Sequence, residues 1–177
     1  MFNNAAHALE WSYNTLACPI IEISAINDMR QGRAICGDNF LLMNLTAQEA
    51  HGQASQIVGM VDRLPDPAGR EYIAARFGGR TERSEIRLIV YAGCDSLGLG
   101  LEKQETVYRI IKAYFRGSLP VRMIMRELQC RHQAAIMTKS CLYDMLDVIH
   151  DAAMAEITET LERKGLVSSY YAEPVAG

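Results

Sequence analysis

The stretch from Val107 to Ile149, VYRIIKAYFRGSLPVRMIMRELQCRHQAAIMTKSCLYDMLDVI, decides the fold. Val107, Ile110, Ile111, Tyr114 and Phe115 recur at helical spacing, which predicts an amphipathic helix closed by Arg116-Gly117. Ser118 is the expected cap of a second, short helix, with Pro120 in its first turn and Val121, Ile124, Met125 and Leu128 apolar. Gln129 to His132 reads as a break. A longer helix follows, with Leu142, Met145, Leu146, Ile149, Ala153 and Ile157 on one side, running to Lys164 before Gly165. Three helices in series, the last two joined by so short a turn, make a helix-turn-helix candidate. Tyr114-Phe115 would form the apolar base of the short helix, and Ile124 and Leu128 would point inward.

Charge is segregated along the same stretch. Arg109, Lys112, Arg116, Arg122, Arg126, Arg131 and Lys139 stand against Glu127 alone, a local balance of +6. From Ser140 to Glu162 the sign reverses, with Asp144, Asp147, Asp151, Glu156, Glu159 and Glu162 and no base. Scattered solubilising charge would not segregate in this way in a chain of net charge −3. A phosphate backbone attracts such a positive block through steering and counterion release. The alternative is that basic and acidic helices face each other inside the fold.

The 177 residues suffice for one ordinary domain, or a compact domain with a helical extension, and 49% hydrophobic with 22% charged residues is globular composition. No apolar run approaches the ~18 residues of a membrane span, and no secretory leader is apparent. A soluble protein of the cytoplasm is the expectation. The net charge argues against a wholly electrostatic, histone-like binder. Five widely spaced cysteines, Cys18, Cys36, Cys94, Cys130 and Cys141, form no CxxC pair and fit a reducing compartment. Cys130 and His132 could ligate zinc only with help from distant His7, His51 or His150; no metal and no cofactor are expected, and Cys130 and Cys141 read as small buried hydrophobes.

Upstream, Ala5 to Ala17 reads as a helix ended by Pro19, and residues from about 18 to 45 as an irregular loop. Thr46 with Glu49 makes a capping box before Ile57, Val58, Val61 and Leu64. Asp66-Pro67 starts a helix to Phe77, terminated by Gly78-Gly79. Thr81 is the expected cap of a further helix through Ile86 to Tyr91, breaking around Gly93. The fold class is therefore all-α, a helical bundle with a C-terminal helix-turn-helix. Residues 1–100 would form the N-terminal region, 101–165 the DNA-binding module and 166–177 a flexible tail.

The quoted passage resembles a sigma-factor region 4 helix-turn-helix. In rhythm it is similar to the late-gene antiterminator Q proteins of the phage 21 type, with an apolar-aromatic-Gly helix end, a short helix, a Cys-containing turn and a long third helix. The resemblance covers about residues 104–150, roughly a quarter of the chain. It implies a phage or prophage transcription regulator that binds double-stranded DNA near a late promoter, engages paused RNA polymerase and makes it ignore terminators. Carried onto this sequence, DNA contact falls to Arg131, His132, Gln133 and Lys139, with Arg122 and Arg126 on phosphate and Arg116 beside them. Ala135 takes the buried position of the pattern, which leaves Ile136 and Met137 exposed. Specificity then rests on Gln133, Arg131 and apolar contact with thymine methyls, or else this helix packs on a protein such as polymerase.

Catalysis is not expected. There is no nucleophile elbow, Gly98-Leu99-Gly100-Leu101 lacks the remainder of a phosphate loop, and no carboxylate cluster stands beside His132. Glu82 and Glu85 with Arg80, Arg83 and Arg87 read as surface pairs along one helix, and His51 and His150 as structural histidines. The rival to DNA binding is a non-enzymatic interaction protein that inhibits or redirects a host complex.

Overall fold

A computed structural model of the protein describes residues 2–18 and 45–167. Among these, regular structure is helical: seven α-helices, a single 3-10 turn, and one isolated parallel bridge between Phe2 and Val167. The all-α expectation holds. No helix among the described residues is long and apolar enough to cross a membrane. The irregular loop expected at about 18–45 and the tail from 168 onward lie outside the described residues, as does Pro19.

Local signals explain most helix ends. Asn4 accepts from the His7 N–H at 2.8 Å and opens α1 (Ala5–Ala17). The Thr46–Glu49 capping box is formed in full and opens α2 (Ala47–Val61). Asp66 accepts from the N–H groups of Ala68 and Gly69, each at 3.0 Å, and opens α3 (Pro67–Gly78) with Pro67 at its first position. Gly79 closes α3 in the left-handed conformation, φ 65°, where a Cβ would be penalised.

The next helix departs from expectation. α4 spans Arg87–Ser96, and Thr81 does not cap it; Thr81 is buried and its hydroxyl has no hydrogen-bond partner among the described residues. Instead Glu71, from α3, accepts from the N–H groups of Leu88 and Ile89 at 2.8 and 3.1 Å. Gly93 does not break the helix. A Cβ there would lie 2.9 Å from Leu142 and 3.0 Å from Val107, so the glycine serves close packing rather than a turn. The 3-10 turn Leu101–Lys103 leads into α5 (Gln104–Arg116), then α6 (Val121–Leu128) and α7 (His132–Arg163). Pro120 is the cap residue of α6, and Ser118 makes no capping bond, because proline's fixed φ already sets the entry.

The chain forms two compact units, Leu64–Ala153 and a second made of Met1–Arg63 with Met154–Gly177. The boundary expected near residue 100 coincides with neither edge, because α4 packs against both α3 and α5. In the first-named unit, Ile86, Ile89, Val107, Ile110, Ile111 and Ile124 share a core with Ala135, Leu142 and Leu146 of α7. In the other, α1 packs on α2, with Ala8, Leu9, Ala54 and Ile57 fully buried. There the Phe2 N–H donates to the Leu166 carbonyl at 2.8 Å and Val167 is buried, so the expected free tail does not begin at 166. The His51 Nε2–H reaches the Cys18 carbonyl at 3.1 Å, a structural use of that histidine.

Candidate nucleic-acid interface

α6 is too short to hold its own shape in water and depends on its apolar side. Ile124 is fully buried, and Val121, Met125 and Leu128 pack against the same core. That leaves Arg122 and Arg126, four residues apart and therefore on one face, exposed. The helix is tied down by Glu127, the single acid of the basic stretch. Its carboxylate accepts from the Arg109 Nη1 at 2.7 Å and its carbonyl accepts from the Lys103 ammonium at 3.3 Å.

Three residues separate α6 from α7. Gln129 adopts the left-handed conformation (φ 53°, ψ 40°), and the N–H groups of Gln129 and Cys130 both turn back to the Met125 carbonyl. The Arg131 carbonyl then accepts from the Ala135 N–H at 3.0 Å and starts α7. Ala135 is fully buried. Arg131, His132, Gln133 and Ala134 before it, and Ile136 and Met137 after it, are exposed. The inward and outward residues of this segment therefore fall where the sequence pattern puts them.

The seven bases are not equivalent. Arg109 bridges Glu105 and Glu127, and those two carboxylates hold its pKa above the usual value. Lys112 reaches the Tyr108 hydroxyl at 2.9 Å and Glu82 at 3.2 Å, which raise its pKa in turn. Arg116 donates to the Gly79 carbonyl. Lys139 is half-buried and lies over the Tyr143 ring, its Nζ 5.3 Å from the centroid. Arg122, Arg126 and Arg131 have no ion pair or hydrogen bond from their side chains among the described residues, and neither has His132 or Gln133. The positive block is thus divided, part spent on the fold and part left to solvent.

Among the described residues of the Leu64–Ala153 unit, no ion pair joins the bases of 109–139 to Asp144, Asp147 or Asp151, so pairing with these three acids does not account for the positive block. Arg83 and Glu82 pair with Glu105 and Lys112 on α5 rather than along their own segment. Glu85 accepts from the Glu82 N–H. Cys141 is exposed, contrary to its reading as a buried residue, and Cys130 is half-buried. No three His, Cys, Asp or Glu side chains gather as metal ligands among the described residues. An open hollow of about 520 Å³ near Arg83, Arg87, Tyr91 and Gln104 offers two guanidinium groups, but Arg83 is already engaged by Glu105.

An aromatic cluster joining α3, α5 and the middle of α7 has no local signal in the sequence. Tyr72, Tyr114, Phe115, Tyr143 and His150 form a ring cluster with centroid separations of 5.0–6.3 Å. Tyr114 therefore packs with α3 and α7, and Phe115 with α3. No family model matches the chain, and no curated protein or solved structure is significantly similar to it.

Proposed function

We propose that this protein binds double-stranded DNA through α6 and α7 and acts as a phage or prophage transcription regulator, a late-gene antitermination factor working with RNA polymerase in the bacterial cytoplasm. The observation that carries the DNA-binding reading is the exposure of Arg122 and Arg126 on α6 and of Arg131 at the end of the three-residue turn into α7, none of them with a side-chain partner among the described residues. Arg122 and Arg126 suit phosphate, because they sit on the outer face of a supporting helix; Arg131, His132 and Gln133 suit base edges, because they open the next helix. Antitermination rests on the resemblance of about residues 104–150 to the phage 21 type Q proteins. A mobility-shift assay on the protein's own late promoter, at two salt concentrations, tests the reading. Retention should fall steeply with salt, and Arg131→Ala should weaken a preferred site by about 1–3 kcal/mol. Weak, sequence-blind retention would refute it.

A second reading draws on Ile136 and Met137, which are 45% and 65% exposed. Apolar side chains so open suit a non-enzymatic module that docks on a host protein and redirects it. Such a module would retain a host complex on an affinity column and leave promoter DNA unbound.

A further inference from the structure

We infer that Ile136 and Met137 read the C5-methyl groups of thymine in the major groove, so that the preferred site is a duplex with thymines facing the first two turns of α7. The inference rests on the DNA-binding reading above and specifies its ligand. Ala135 and Leu142 are fully buried and fix which side of α7 faces the core. At 3.6 residues per turn, Ile136 follows His132 by one turn and Met137 follows Gln133 by one turn. The two apolar side chains therefore continue the rows opened by His132 and Gln133, all four being exposed.

The surroundings decide the occupant. Arg131, in the turn that leads into α7, and Arg122 and Arg126 on the preceding helix are exposed cations without side-chain partners among the described residues, and a polyanion complements such charge. The one apolar group that a DNA major groove presents is the thymine methyl. Methionine, unbranched and polarizable, can adjust to a methyl whose position varies with local DNA shape. Gln133 beside them has the amide geometry to bond the N6 and N7 edge of adenine, which extends the preference to A·T pairs. Each methyl fully withdrawn from water contributes about fourfold in affinity.

The test is substitution of deoxyuridine for thymidine, which removes that methyl and leaves base pairing intact. The probe is the strongest binder from a random duplex pool, prepared with thymine or with uracil throughout. Wild-type protein should bind the uracil form more weakly, by about fourfold per methyl contacted. The double variant Ile136→Ala, Met137→Ala should bind the two forms equally, with the same dependence on salt as the wild type. Equal wild-type affinity for both forms would overturn the methyl inference while DNA binding stood. Failure of the wild type to retain any duplex in a salt-dependent way would overturn both.

Discussion

Tyr114 donates a hydrogen bond to the Asp147 carboxylate at 2.6 Å and so joins α5 to α7. Its single proton is committed there, so the Tyr72 hydroxyl, 3.2 Å away, must donate to Tyr114. A relay of three side chains from three helices thus ties α3 and α5 to α7, the helix that carries Gln133. Tyr114→Phe removes the middle of it and leaves the Tyr72 hydroxyl without its acceptor. The expected loss is about 1–2 kcal/mol, read by denaturant unfolding. Burial first, and donation to Asp147 second, push the Tyr114 phenol well above its ordinary value. Its contribution to stability is therefore complete below the unfolded phenol's pKa, about 10, and is lost as pH rises beyond it. Alkaline unfolding should be less steep in Tyr114→Phe than in the wild type.

Glu71 does for α4 what a capping residue normally does from within the chain's own helix. Replacement by Ala should cost about 1 kcal/mol, and Gln, which keeps an acceptor oxygen, should cost less. Burial raises the Glu71 carboxyl above its usual 4.5 despite the two N–H groups that favour the charged form. A carboxyl with a raised folded pKa contributes stability fully present below the unfolded value and lost as pH rises through the folded one. Thermal melts across the weakly acidic range should show this slope in the wild type and lose it in Glu71→Gln.

Gly93 sets two effects against each other. In an open helix, Gly→Ala would stabilise by about 0.5–1 kcal/mol. Here the added Cβ would meet Leu142 at 2.9 Å, Val107 at 3.0 Å and Ile111 at 3.4 Å, all from buried residues. Overpacking of about 1–3 kcal/mol wins, so Gly93→Ala should lower the melting temperature. A rise would mean that the three side chains can yield together.

Gln129 holds a backbone conformation that suits glycine, at φ 53°. Gln129→Gly should stabilise the protein by a few tenths to about 1 kcal/mol, and Gln129→Val should destabilise it. Equilibrium unfolding of the pair measures both signs. An unchanged stability in both would show that the turn relaxes.

Much of the helical skeleton was legible because its signals are local. Thr46 and Glu49 lie three residues apart, Asp66 adjoins its proline, and the apolar spacing of Val107 to Phe115 is self-contained. Thr81 misled for the opposite reason: the group that caps α4 is Glu71, from 17 and 18 residues upstream. The charge block was legible as a count and not as a surface. Arg109, Lys112 and Arg116 find Glu127, Glu82 and Gly79 at separations of 18, 30 and 37 residues, which no periodicity reveals. The exposure of Ile136, by contrast, followed directly from assigning Ala135 to the core.

The division of the basic residues into structural and free sets is the claim on which the functional reading depends, and the salt dependence of duplex binding measures it. Plotted as log K against log salt concentration, the wild-type slope should shrink by about 0.9 for each of Arg122, Arg126 and Arg131 replaced by Ala. Lys112→Ala should leave it unchanged, because that ammonium already serves Tyr108 and Glu82. A triple variant lacking Arg122, Arg126 and Arg131 that kept the wild-type slope would contradict the account.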